Sequence, residues 1–153
     1  MLERLKANYA DARVMCAEGD DLPAIADASC DVIVATLALA HIPTATRAIY
    51  EWCRLLRPGG AMLLTDFHPA AIRAGMKRTF VTGGETIEIE HHATDLERLR
   101  EIAIDCGLSP AFGAERVIDE SVRPFFERAQ YLKAYDKYKG EPLVFGMHFV
   151  KPS

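Results

Sequence analysis

With 153 residues, half of them hydrophobic, the chain is long enough for one compact domain with a real core, spanning residues 1–153, and short for two. Eighteen basic against twenty-two acidic side chains leave a formal net charge of −4, which supplies no broad positive footprint for nucleic acid or an anionic membrane. The apolar run over residues 32–42 is too short to span a bilayer, and residues 1–6 mix charges where a secretory signal would be apolar, so a cytoplasmic protein is expected.

In chain order, Leu2, Leu5 and Tyr9 recur at helical spacing and predict an amphipathic helix that opens without an N-cap. Residues 13–17 and 31–36 are apolar runs without strict alternation, which suits parallel strands covered on both faces. Ala45, Ala48, Ile49, Trp52, Leu55 and Leu56 follow a helical period over residues 44–56, and Pro58-Gly59-Gly60 ends it in a turn before a third strand at 61–67. Strand, helix, turn, strand is the grammar of a βαβ unit. Alternating residues at 78–81 and 85–90 flank Gly83-Gly84 and predict an inserted hairpin. Thr94-Asp95-Leu96-Glu97 reads as a capping box, Thr94 capping a helix that runs to Cys106 and stops at Gly107. A helix over 125–138 then separates late strands at 115–119 and 143–150. Cys16, Cys30, Cys53 and Cys106 form no CxxC pair and sit in apolar contexts, so they read as reduced thiols and no metal site is expected. His91 and His92, adjacent on the hairpin, point to opposite faces and make poor joint ligands.

Five segments occur in a fixed order: 17–23 (AEGDDLP), 29–34 (SCDVIV), 37–42 (LALAHI), 56–60 (LRPGG) and 65–69 (TDFHP). The series resembles the type-11 class I S-adenosylmethionine-dependent methyltransferases over nearly the whole chain. The resemblance implies a Rossmann-like α/β fold, a mostly parallel sheet flanked by helices, N-terminally truncated, with a late antiparallel strand pair and the inserted hairpin. It implies S-adenosylmethionine as cofactor and a small molecule as methyl acceptor. It also sets residues 13–17 as the family's third strand, so that Glu18, Gly19 and Asp20 offer a carboxylate and a free N–H to the adenine, and Thr36, Leu37 and Ala38 pass beneath the sulfonium.

Without the family, Glu18-Gly19-Asp20 is a solvated acidic turn and Thr36 an ordinary strand end. His41 and His68 follow strands on the cofactor side, and either is a candidate catalytic base for a hydroxyl or amine acceptor. The alternative is that His41 packs near the helix at Thr44 and His68 precedes the Pro69 turn. The aromatic residues over 125–138 cover an acceptor pocket or simply fill a core.

The family pattern begins with a strand, a GxGxG loop, a helix and a second strand ending in an acid, none of which is found here. Two functional readings follow, methyl transfer to a small molecule or a catalytically inactive module used in binding or assembly. In the family's sheet order the two missing strands lie between the strands at residues 13–17 and 31–36, and the unpaired edges predict a homo-oligomer formed by strand swapping or edge pairing.

Overall fold

The computed structural model describes residues 2–153. After helix α1 (Leu2–Asn8) comes strand β1 (Cys30–Thr36), a short 3₁₀ turn (Leu39–His41), α2 (Ala45–Leu55), β2 (Leu56–Phe67) and α3 (Pro69–Arg73). The remainder is the hairpin β3 (Thr79–Thr82) and β4 (Glu85–Glu88), then α4 (Leu96–Asp105), β5 (Ser109–Val117), α5 (Arg123–Arg128), α6 (Leu132–Tyr138) and β6 (Pro142–Val150). The main sheet has the order β1-β2-β6-β5, with β1 and β2 parallel and β6 antiparallel to both of its neighbours. It is a Rossmann-like mixed sheet, with helices at its flank and the expected late antiparallel pair in β5 and β6.

Residues 13–17 form no strand, contrary to expectation. A strand persists only where a neighbour completes its ladder, and residues 13–17 pair with no strand among the described residues. Met15 is consequently 46% exposed, and the parallel part of the sheet reduces to β1 and β2.

The βαβ unit forms as its pattern dictates. Ala45, Ala48, Ile49, Trp52 and Leu55 make one buried stripe on α2. The Pro-Gly-Gly segment is not a separate turn, because β2 starts directly at Leu56. Cys30 pairs with Leu56 but Val32 with Ala61, so residues 57–60 bulge out of the ladder, and Gly59 supplies the positive φ of 75° that the bulge requires.

Along β2, Met62, Leu64 and Asp66 face inward while Leu63 and Thr65 face outward, the alternation of a strand with one covered face. Ile49 and Trp52 of α2 and Leu99, Ile102 and Ala103 of α4 cover that inner face, closing over Met62, Leu64, Phe145 and Phe149. Each such large side chain contributes about 1.5–3 kcal/mol when fully buried. Asp95, not Thr94, caps α4, its carboxylate accepting the Arg98 N–H at 3.2 Å.

The opposite face is largely bare. Val34 registers with Leu63, Leu63 with His148, and His148 with Phe112, so these four side chains share one face across the sheet. Val34 is 65%, Leu63 39% and Phe112 66% exposed.

The helix expected over 125–138 is two helices. Gln130 adopts a positive φ of 60°, which breaks the chain between α5 and α6 and turns Tyr135 back onto Ile118 and the edge of Phe126, with ring centroids 5.7 Å apart. The hairpin forms as expected, its two-residue turn using positive φ at both Gly83 (59°) and Gly84 (82°). No helix among the described residues is long and apolar enough to cross a membrane.

Candidate functional site

The carboxyl ends of β1 and β2 lie side by side, and the loops that leave them are tied by one buried carboxylate. Asp66, 1% exposed, accepts the Ala40 N–H on one oxygen at 2.8 Å and the Phe67 N–H on the other at 2.7 Å. Beyond β1 the chain turns sharply. Leu37 takes a positive φ of 53° and donates its N–H to the Thr65 carbonyl at 2.8 Å, leaving Thr36, Leu37 and Ala38 exposed as a ledge at the strand end.

Glu18, Gly19 and Asp20 come to the same end of the sheet although the segment before them is not a strand. The indole N–H of Trp52 donates to the Gly19 carbonyl at 2.8 Å, and Gly19 lies so close to Ile42 that an added Cβ would stand 2.6 Å from its Cδ1. The following residues are pinned to α2. Glu51 accepts the Leu22 N–H at 2.9 Å, and Arg54 binds the Leu22 and Ile25 carbonyls and the Asp27 carboxylate. The Arg54 guanidinium holds the Glu51 carboxyl down to about 2, helped by the Leu22 N–H. Arg47 stands 4.0 Å from Asp20 and 3.8 Å from Asp21.

The two histidines differ in setting. His41 faces the hairpin, where its Nδ1 donates to the Glu90 carbonyl at 3.0 Å and its Nε2 accepts from Arg78 Nη1 at 2.6 Å. A carbonyl only accepts and a guanidinium only donates, so the partners fix this tautomer. His68 is buried and caps α3, its Nδ1 accepting the Ala70 N–H at 3.1 Å while Nε2 lies 3.5 Å from Glu115.

Arg78 and Asp66 are the residues that sequence reasoning passed over. Arg78 lies 4.0 Å from the Asp66 carboxylate and holds its guanidinium over the Phe67 ring, 5.2 Å from the centroid. Asp66 was legible in principle, since continuing the alternation of Met62 and Leu64 puts a carboxylate on the covered face of β2. Arg78 carries no comparable signal, because only the path of the hairpin brings it to His41.

Next to this network opens a cavity of about 500 Å³ between the end of β2, α3, the base of the hairpin and the α5–α6 pair. Its wall is mainly apolar, with Phe67, Ile72, Met76, Phe126, Tyr131 and Leu143, and Arg78 reaches its edge. The aromatic residues of the 125–138 region therefore divide. Phe125, Phe126 and Tyr131 line the cavity, whereas Tyr135 and Tyr138 pack in a core cluster with Ile118. The four cysteines are free, and burial beside Cys106 pushes the Cys53 thiol up to about 12. Among the described residues no group of three or more His, Cys, Asp or Glu side chains is placed to hold a metal ion.

The sequence model of the methyltransferase-domain family matches residues 1–64. The human thiol S-methyltransferase TMT1A is 42% identical over 59 residues, which are 39% of this chain and 24% of that protein. The 27-O-demethylrifamycin SV methyltransferase of Amycolatopsis mediterranei is 30% identical over 142 residues, covering 90% of this chain and 45% of that protein. The chain thus spans less than half the length of the curated relatives it matches. Among solved structures, an S-adenosylmethionine-dependent methyltransferase from Mesorhizobium loti superposes with a TM-score of 0.70 at 16% identity, over 99% of this chain and 76% of that one.

Proposed function

We propose that this chain, which belongs to the class I S-adenosylmethionine-dependent methyltransferases, carries the acceptor side of an enzyme that methylates a small molecule. S-adenosylmethionine is the cofactor of that family, and when bound it supplies a methyl group on a positively charged sulfur. The observation that carries the reading is the convergence of Glu18-Gly19-Asp20, the Thr36–Ala38 ledge and the apolar cavity on one end of the β1–β2 pair.

The residues present suit part of the cofactor. Glu18 offers an exposed carboxylate beside the side-chain-free Gly19, and Thr36, Leu37 and Ala38 expose backbone held rigid by the Leu37–Thr65 hydrogen bond. Thus Glu18, Gly19 and Asp20 would hold the adenine end, and Thr36 to Ala38 would run under the reactive portion. The glycine-rich loop and ribose-binding acid of the family have no counterpart in this chain. What these residues contribute is position, because holding two reactants in an aligned pose removes several kcal/mol of barrier. His41, hydrogen-bonded to the cavity-lining Arg78, would act as the base for an acceptor proton once Arg78 yields Nε2. His68, engaged as a helix cap, serves the site by fixing the start of α3.

The test is calorimetric titration of the chain with S-adenosylmethionine and S-adenosylhomocysteine. Saturable heat, reduced in Glu18→Ala, is expected; no heat at millimolar ligand would remove the assignment for this chain.

A second reading concerns assembly. Among the described residues the outer edge of β1 makes no pairing, and one sheet face leaves Val34, Leu63 and Phe112 in water, so the sheet is set to bind another surface. A homo-oligomer in which two copies cover these faces is the form we expect, and as an inactive module the chain would act through the same surface. Light scattering that returned a monodisperse monomer would end this reading.

A further inference from the structure

We propose that Arg78 selects the methyl acceptor, and that the acceptor is a ring-sized, largely apolar molecule bearing an anionic oxygen such as a carboxylate or phenolate. This rests on the reading of the cavity as the acceptor chamber and adds the chemistry that chamber recognises. Its volume of about 500 Å³ suits a molecule of one to three fused rings, and Phe67, Ile72, Met76 and Phe126 offer little besides apolar contact. An apolar wall sets size, and the few polar groups that reach it set identity.

Two cations reach this cavity, and their circumstances differ. Lys77 is committed to Glu88, its ammonium 2.7 Å from the carboxylate. The Arg78 side chain, only 19% exposed, makes one hydrogen bond among the described residues, through Nη1 to His41. Its nearest carboxylate, Asp66, is 4.0 Å away, and both Asp66 oxygens already accept backbone N–H groups. The guanidinium plane is steadied by the Phe67 ring beneath it. The rest of the fork is thus left with donors unspent at the edge of an apolar chamber. A guanidinium remains charged at any working pH and matches a carboxylate with two parallel N–H donors. An anionic ligand completes it, whereas a neutral ligand of the same shape would strip water from the cation and return at most an uncharged, weaker hydrogen bond.

The experiment compares 1-naphthoate with neutral 1-naphthalenemethanol by calorimetry on the native chain, on R78M and on R78K, with S-adenosylhomocysteine titrated in parallel. Naphthoate is expected to bind at least about tenfold more tightly than the alcohol. R78M should erase that preference while leaving the alcohol's affinity within about twofold, and R78K should restore part of it. Equal affinity of the two probes for the native chain, or binding of neither, overturns the proposal, and this comparison needs no variant to fold. A naphthoate preference that survives in a folded R78M overturns it as well. The outcomes separate from those of the methyl-transfer reading. Heat from S-adenosylhomocysteine with no naphthoate preference sinks this proposal alone, whereas an Arg78-dependent preference without cofactor heat sinks the methyl-transfer reading.

Discussion

Asp66 shows how much a single side chain can organise. Its two oxygens hold the N–H groups of Ala40 and Phe67, one from the loop after β1 and one at the end of β2, so the ledge and the cavity are positioned by the same group. Asp66→Ala leaves two backbone donors unpartnered in a dry setting and should cost about 3 kcal/mol, read as a lowered denaturant midpoint. Glu51 acts similarly for the acidic turn. Its carboxyl is held near 2, below its ordinary 4.5, so its contribution is present above pH 4.5 and is lost as the pH falls from there toward 2. Thermal melts across that window should therefore show a steep loss of stability that Glu51→Gln flattens. The histidines illustrate the limit of reading single residues. His41 and His68 both follow strands, and nothing in the sequence separates the one facing a guanidinium from the one capping a helix.

At the level of elements, local pattern sufficed wherever the partner of an element lay nearby in sequence. The stripe of α2, the strands at 31–36 and 61–67, and the Gly83-Gly84 turn were all legible, because each is determined by periodicity or by backbone freedom. Residues 13–17 look like a strand by composition and are not one, since no strand among the described residues pairs with them. The cap of α4 shifted by one residue, since Thr94 and Asp95 are both good caps and only the geometry of entry chooses between them. The break at Gln130 was invisible, a left-handed glutamine carrying no signature of its own. The hairpin supports a prediction at this scale. Ala at Gly83 or Gly84 must take a positive φ, costing roughly 1–2 kcal/mol. Because β3 and β4 are exposed along their length, the loss should appear as faster amide exchange confined to residues 79–88, with the global melting temperature little changed.

For the whole molecule, the sheet is finished on one side only. α2 and α4 bury the inner face, while the outer face and the free edge of β1 offer apolar side chains and unpaired backbone to water. Val34→Lys together with Phe112→Lys should raise solubility and lower the association state, checked by sedimentation, while leaving the inner core and its melting transition in place. The unpaired edge of β1 agrees with what the missing strands imply, whereas the bare outer face does not, since residues 31–36 read as a strand covered on both faces and Val34 is 65% exposed.

The contact between Trp52 and Gly19 has a practical bearing on all of this. The chain has one tryptophan, nearly buried, whose indole N–H ends on the backbone of the acidic turn. Its ultraviolet emission therefore comes from a single known position. A red shift without loss of secondary structure would signal that the turn had lifted from α2, and a change on adding an adenosyl compound would reveal occupancy of that turn without any label.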